Sequence, residues 1–484
     1  MRNGYKIRVF SFVIFSFLII DAYGTDYYVK NAGNDSGTGT SDATAWASLA
    51  KVSSVIFQPG DHIYFKRGDL FRGQLYNNSS GSAGNPVVYD AYGTGAKPKI
   101  WGSRDYSSDN LWTNYSGNIW VTSSPVETGM DNIANLIFNN EQSCGKQETS
   151  ISACDSQGDF YYNTDDNKVY IYSVGSPAVF YSHIEMGGVF EEYVVFCYGN
   201  SYVTFRNMDV RYSANNAMFT GYGSSNIIFE YNDVSWAGGT YYMIKYPVRM
   251  GNGIGVWKDA SNIIIRYNRI DQCYDAGISP QGLKAYTMDN IQMYYNIITN
   301  CWYSYETWAN KDQVHNNVNF YNNVCIDAGN QWSKNQRPDL NNARHVMIWD
   351  LKGTVTNCNI KNNIFKNSAN TAIRIGNNIT KINFDYNIYN VNVIYSTRGG
   401  TFTTLDQWQA ATGLDSHSLS GDPLINANFS LSEGSPAINS GIDVGLIKDF
   451  FGNSIIGIPD IGSIEYGGQP PAGFPNNCTG NQME

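Results

Sequence analysis

One short pattern recurs between about Tyr202 and Asn390: an apolar run, an aromatic or polar residue, an Asn, then Ile or Val. It reads Tyr231-Asn232-Asp233-Val234, Tyr267-Asn268-Arg269-Ile270 and Tyr295-Asn296-Ile297-Ile298. It continues as Tyr321-Asn322-Asn323-Val324, Lys361-Asn362-Asn363-Ile364 and Tyr386-Asn387-Ile388-Tyr389, with a looser first copy at Asn207. The Asn-to-Asn intervals are 25, 36, 28, 26, 40 and 25 residues. A period near 25 with elastic insertions marks a solenoid, in which each repeat is one unit stacked on the next. The content is β: runs such as Asn262-Ile263-Ile264-Ile265-Arg266-Tyr267 are short, apolar and bounded by Asn, and no amphipathic helix fits between them. The pattern predicts a parallel β-helix. Coils stacked at the roughly 4.8 Å strand spacing let one Asn bond its copies above and below. Asn also tolerates the left-handed backbone of tight turns. These Asn residues are read as structural, not as a site.

The length of 484 residues fits two or three ordinary domains or one long solenoid. Charged residues make up only 15% and aromatics 14%, with abundant Gly and Tyr, which suits an all-β exported protein. A net charge of −10 argues against a nucleic-acid partner, which requires a basic face. At the N-terminus, Arg2, Lys6 and Arg8 precede an apolar run from Val9 to Ile20, and Ala22-Tyr23-Gly24 offers small residues for a signal peptidase. Residues 1–24 are therefore read as a cleaved signal peptide, against a buried strand as the alternative, and the protein as secreted or periplasmic. No later run reaches membrane-spanning length. Of eight Cys, Cys144 and Cys154 flank a polar loop and are candidates to pair. Cys273 and Cys301 each follow a repeat Asn by five residues, which stacks them on adjacent coils, either bridged or as buried apolar side chains. No Cys/His spacing suggests zinc.

Residues 25–102 precede the regular repeats and read as an N-terminal cap with the first coils. Ala43 to Phe57 predicts a short helix with Trp46, Leu49 and Val52 on one stripe and Ser41-Asp42 as its cap. A solenoid needs such a cover because an open coil exposes unpaired edges. Residues 103–466 read as the β-helix with inserted loops: an irregular stretch to Ser201, strands at Ile137-Phe138 and Val169–Tyr172, and a second short helix at Thr404–Thr412 over the far end. Residues 467–484 read as a tail. Two sets of motifs carry a resemblance. The first is Asp26-Tyr27-Tyr28-Val29, Gly33-Asn34-Asp35, Pro59-Gly60-Asp61 and Arg67-Gly68. The second is Gly421-Asp422-Pro423-Leu424, Gly434-Ser435-Pro436-Ala437-Ile438 and Asp460-Ile461-Gly462. With the repeats between them, the chain resembles secreted bacterial proteins of the right-handed parallel β-helix, pectin-lyase-like superfamily. The resemblance implies an all-β, right-handed parallel β-helix solenoid with an N-terminal capping helix and long loop insertions, and a carbohydrate-active protein. It does not imply one reaction, since that superfamily holds lyases, hydrolases, epimerases and binding proteins.

Strand side chains alternate between interior and outer face. Aligning apolar pairs puts Ile254 and Val256, Ile278, Tyr305 and Thr307, Val346 and Ile348, and Ile373 and Ile375 inward. The outward set is Gly255 and Trp257, Ser279 and Gln281, Glu306 and Trp308, Met347 and Trp349, Arg374 and Gly376. Three outward Trp residues on one face point to sugar stacking, or else to loops packed over them. Glu306 is a carboxylate between aromatics in mid-strand, where burial raises a pKa toward what a general acid or base requires. Its bland alternative is a salt bridge to Arg344 or Arg374. The insertion from Asp327 to His345 carries Lys334, Arg337 and Arg344 against Asp339, with His345 at the strand start. It reads as an arm for an anionic ligand or as a solvated loop. A second insertion, Gly238 to Gly251, holds Tyr241, Tyr242, Lys245 and Arg249, and the two loops would wall a groove.

Two enzymatic readings follow, both for a polysaccharide. A lyase acting on a uronate polymer must neutralise a carboxylate, remove a proton and supply a donor. Lys334, Arg337, Arg344, His345 and Arg374, with Tyr303 or Tyr242, would serve. A hydrolase needs two carboxylates. Glu306 would pair with Asp275 or Asp350, but in a straight-strand register Asp275 lies about 13 Å off the level of Glu306. The basic arm and this misfit tilt the reading to the lyase. Catalytic candidates are thus Glu306, His345, Arg344 and Asp275. Binding candidates are Trp257, Gln281, Trp308, Trp349, Lys334, Arg337 and Arg374. The Asp-rich motifs of polygalacturonases, the Trp-x-Asp-His of common pectate lyases and the Asp-Pro-His-Glu of alginate epimerases are missing from the chain, so no family's catalytic residues carry over. Calcium is the one cofactor considered, on the scattered carboxylates Asp271, Asp275 and Asp289. A monomer is expected. The third reading is a non-catalytic sugar-binding or adhesin-like β-helix.

Overall fold

The computed structural model of the protein describes residues 24–128, 132–243, 246–337, 342–392, 395–397 and 400–469. Residues 1–23, expected to belong to a signal peptide, residues 470–484 with Cys478, Asp339, and the side chains of Tyr242 and Lys245 lie outside what is described.

Each turn of the chain lays down three short strands and then repeats them one coil higher. Ser201–Arg206, Asp209–Arg211 and Met218–Gly221 are followed by Ser225–Glu230, Asp233–Ala237 and Ile254–Trp257, each parallel to its predecessor. Repetition builds three long sheets, here called A, B and C in the order the chain visits them, with 11, 10 and 10 strands. Like residues stack along the interior. Val203, Ile227, Ile263, Ile291 and Val318 form one such file in sheet A and are all buried. The architecture is a parallel β-helix.

The corners follow a five-residue step. Residues 202, 207 and 212 are left-handed, and so are 226, 231 and 236, 262, 267 and 272, 290, 295 and 300, 317, 322 and 327, and 357, 362 and 367. Asn and Asp adopt this conformation cheaply, whereas Tyr does so at a cost. Ring stacking offsets that cost: Tyr231 lies 4.8 Å from Tyr267, and Tyr267 lies 5.8 Å from Tyr295, both pairs near parallel.

The Asn ladder exists, with one correction to its membership. Side-chain amides run Asn232 to Asn268, Asn296, Asn323, Asn363 and Asn387 at 3.0–3.1 Å. Asn322 and Asn362 stand one place earlier, in the left-handed position that Tyr231, Tyr267, Tyr295 and Tyr386 fill in other coils. Asn207 is likewise left-handed, and its neighbour Met208 only donates its backbone N–H to Asn232. The ladder Asn is therefore a hydrogen-bonding device, and the residue before it makes the turn. Asn296→Ala strips the carbonyl of Ile265 and the side chain of Asn268 of buried partners. It is expected to cost about 3 kcal/mol, read as a lower urea midpoint at unchanged slope.

The N-terminal cover is shorter than the expected helix. Trp46 is drawn out of it into extended pairing, its N–H bonding Tyr28 and its carbonyl accepting from Lys30. A 3₁₀ turn, Asp42–Thr44, is capped by Ser41, and a separate α-helix, Leu49–Ser53, is capped by Ser48. Trp46, Leu49 and Val52 still enter the same core. At the far end the helix Leu405–Thr412 forms as expected behind its Thr404 cap. It lays Trp408 on Tyr395 at 3.7 Å. All seven described Cys are free thiols: Cys144 and Cys154 are not bridged, and Cys273 and Cys301 are buried in the core.

Three insertions leave the solenoid at the same corner, where sheet B hands over to sheet C. The first runs from Ser103 to about Gly187 and folds into two four-stranded antiparallel sheets with their own core. The second is the antiparallel hairpin Thr240–Met243 with Tyr246–Met250. The third spans Gly329 to Ala343. Arg249 ties all three together: its guanidinium donates to Gln336 at 2.7 Å and to the carbonyls of Ala134 and Gly239. Gln336 in turn donates to Gly145, and the Cys144 thiol to Trp332. These bonds hold the three insertions together beside sheet C.

Candidate active site

The outer face of sheet C is the floor of a cleft of about 670 Å³. Parallel register lines up one file of residues on the outer face of sheet C: Tyr76, Phe196, Phe219, Gly255, Ser279, Glu306, Met347 and Arg374, of which Phe219 and Glu306 line the cleft. Gly255 leaves room that the Asn216 side chain takes: its amide nitrogen lies 2.5 Å from where a Cβ would stand. The expected inward and outward sets hold in this register. Ile254, Val256, Ile278, Tyr305, Val346, Ile348, Ile373 and Ile375 fill the core, and the buried Thr307 hydroxyl bonds Pro280.

One side of the cleft is aromatic. Trp257 and Trp308 meet edge to face at 6.4 Å, Trp349 is 38% exposed, and all three line the cleft with Tyr222 and Leu283. The Trp308 indole is pinned by its N–H to the carbonyl of Gly282 at 2.8 Å. The other side, at the corner with the insertions, is polar: Glu192, Asn216, Asn252, Asp275, Arg249 and Arg337.

Glu306 sits between the two sides, only 4% exposed. The Trp349 indole N–H donates to its Oε1 at 2.6 Å, and the Ser279 hydroxyl lies 3.5 Å from its Oε2. Burial pushes its pKa up to about 8, with the negative charge of Asp275 adding to the rise; the Trp349 N–H, the Arg337 charge and the Gln281 amide oppose it. The alternative, a salt bridge from Glu306 to Arg344 or Arg374, is not made; both arginines bond Asn342. Glu306 is thus a protonated acid at neutral pH, held by a neutral donor in an aromatic cleft.

Asp275 is not on a straight strand. It occupies the bend between Arg269–Cys273 and Ala276–Gln281, where its backbone carbonyl accepts from Trp302 and Tyr303. Counting residues along a strand therefore misjudges its position: it lines the same cleft as Glu306 and acts electrostatically on it. Arg337 holds it, with Nη1 3.4 Å from Oδ1, while the guanidinium lies over the rings of Trp302 and Tyr274 at 4.5 and 5.1 Å. Asp350 lies outside the cleft lining and is bonded by Asn377 and Lys352.

The basic arm does not converge as expected. Only Arg337 enters the cleft. Lys334 is exposed, with its ammonium 3.5 Å from Asn330. Arg344 is buried and folded onto Asn342. Arg374 bonds Asn342 and lies 5.9 Å from the Trp349 ring. His345 turns into the coil interior against Phe365, and bonds Ser304 at 3.0 Å. Burial pushes its pKa down to about 4, so it is neutral, and it is not part of the cleft lining. Gln281, Trp257, Trp308, Trp349 and Tyr303 all line it. For calcium, Asp271 is bonded by Thr299 and Asn300 and Asp289 by Asn316. Among the described residues no group of three His, Cys, Asp or Glu is arranged to hold a metal.

Glu192, Asn216 and Asn252 were not among the sequence candidates. A signal for two of them was present: the Asn252 N–H bonds Asn216 Oδ1, and Asn252 Oδ1 accepts from Ala276, a second ladder spaced by 36 residues like Asn232 and Asn268. Glu192 follows the first insertion and bonds Asn215, a pairing with no local sequence signature.

No protein-family profile matches the chain. Among curated proteins, a lacto-N-biosidase from Bifidobacterium longum subsp. longum is 21% identical over 91% of this chain, and the chain spans about 36% of that relative's length. Among solved structures, a GH136 lacto-N-biosidase from Eubacterium ramulus aligns at 15% identity and a TM-score of 0.46, covering 77% of this chain and 61% of that one. The pectate lyase Pel9A aligns at 16% identity and a TM-score of 0.40, covering 92% and 98%.

Proposed function

We propose that the protein is an exported glycoside hydrolase acting on oligo- or polysaccharides, with Glu306 as general acid and Asp275 as its partner carboxylate. The observation that carries this reading is a buried carboxylate in a tryptophan-lined cleft, its pKa pushed up by desolvation, with a second carboxylate on the same cleft. Glu306 delivers its proton to the glycosidic oxygen as the bond breaks. Asp275, oriented by Arg337, stabilises the positive charge that develops on the sugar ring or draws the proton from the attacking water. The indoles of Trp257, Trp308 and Trp349 offer flat faces to pyranose C–H groups, and Gln281, Asn216 and Asn252 offer hydrogen bonds to hydroxyls. The curated relative, a glycosidase by name, supports the same reaction class. The uronate-lyase preference loses its support, because Lys334, Arg344, Arg374 and His345 stay out of the cleft.

The test is a panel of neutral and anionic polysaccharides plus an aryl glycoside of lacto-N-biose, read both by new reducing ends and by ultraviolet absorbance. Reducing ends are expected to rise on at least one member with no absorbance change. Absorbance rising in step with cleavage would mean elimination and sink the assignment. Binding without turnover on any member would favour the non-catalytic reading.

A further inference from the structure

The aromatic side of the cleft continues beyond it. Trp349, Trp308, Leu283, Trp257 and Tyr222 stand on successive coils along the cleft rim. Tyr198, one coil further, lies outside the cleft lining and stacks on Tyr222 with ring centroids 4.7 Å apart and planes 28° from parallel. Tyr198 ends its sheet C strand in register with Gly221, and Tyr222 follows Gly221 in a left-handed turn. Most aromatic residues of the solenoid are buried, yet Tyr198 is 46% and Tyr222 36% exposed. Phe196 backs the pair 5.9 Å from Tyr198, with Tyr76 stacked 5.5 Å behind Phe196. The Lys258 ammonium sits 4.3 Å over the Tyr222 ring, ready to bond a hydroxyl or ring oxygen beside it.

Resting on the reading that Glu306 cleaves glycosidic bonds, we propose that Tyr222 and Tyr198 are distal subsites that hold the continuation of a glycan chain, so that the preferred substrate is longer than the cleft. Four rungs separate the strand of Glu306 from that of Tyr198, about 19 Å at the strand spacing, a length that several sugar rings span. The occupant is a glycan because the strip alternates flat apolar faces with single polar groups and runs without a break from the catalytic floor. Among the described residues, the aromatic rim on the other side of Glu306 ends at Trp349, one coil away. The chain therefore extends mainly toward the N-terminal coils.

The experiment measures binding of cello-, xylo-, chito- and galacturonan-derived ladders, from disaccharide to octasaccharide, to the Glu306→Gln protein by calorimetry. Affinity is expected to rise with length on at least one ladder. Tyr198→Ala should cut the gain between the shortest and longest members about tenfold, the loss of one stacking contact, and Tyr198→Trp should restore it. Affinity that stays flat with length on every ladder, or a length dependence that Tyr198→Ala leaves untouched, overturns the proposal. Should Glu306→Gln still turn over substrate, the catalytic assignment fails while the length dependence stands or falls on its own.

Discussion

Glu306→Gln is expected to lower kcat by about a thousandfold or more with KM changed only a few fold, and at the same time to make the protein more stable in mild alkali. The two effects have one origin. The carboxyl is held in a desolvated place where its charged form is disfavoured, and this lifts its pKa from 4.5 to about 8. Below pH 4.5 the folded and unfolded chains both hold the proton, and the site costs nothing. Between about 4.5 and 8 the unfolded chain releases the proton and the folded chain keeps it, so stability falls as pH rises. Above 8 the penalty is constant, on the order of 5 kcal/mol. Gln keeps the shape, and its carbonyl accepts the Trp349 N–H, but it carries no such penalty. Wild type and variant should therefore melt together at pH 4 and diverge toward pH 9, with the variant higher. A catalytic acid must be protonated, so wild-type kcat should fall as pH passes about 8. A variant that loses activity but gains no stability at pH 9 would mean that Glu306 is not the strained group described.

The solenoid was legible because it is a local code repeated many times. A turn every five residues and an Asn at each coil left a period that insertions stretched without erasing. Tyr before the ladder Asn hid which residue makes the turn, since nothing in composition marks Tyr as left-handed; that is why Asn322 and Asn362 were placed one step off. Parity along the sheet C strands was legible too, and it put Glu306, Trp257, Trp308 and Trp349 on the outer face. Parity breaks at corners. His345 and Arg344 begin their strand just past one, and there the side chains point where the corner sends them. Asp275 sits in another corner, so counting along a strand misjudged it. Met347 obeys parity yet is buried, because Trp302, Tyr303 and Ala343 close over it. The polar side of the cleft depends on contacts such as Arg249 with Ala134, across 115 residues, which no local pattern encodes.

Asp275→Asn should lower kcat about a hundredfold or more and move the alkaline limit of the residual activity toward neutrality. The direction follows from charge. Asp275 raises the pKa of Glu306, whereas Arg337 lowers it. Removing the carboxylate leaves the guanidinium unbalanced beside the acid, so Glu306 ionises more readily and the protonated fraction disappears at lower pH. A burial-only account predicts no such movement, because Asn fills the same space and leaves Glu306 equally desolvated. Titrating the Glu306 carboxyl carbon by NMR reads the shift directly and without substrate. Asp350→Asn is the matched control: that carboxylate lies outside the cleft, bonded by Asn377 and Lys352, and its loss should leave both the rate and the titration in place. If Asp275→Asn leaves the titration of Glu306 where it was, the two carboxylates do not form a pair. The chemistry would then need a second acid from elsewhere on the cleft, with Glu192 the remaining one on its lining.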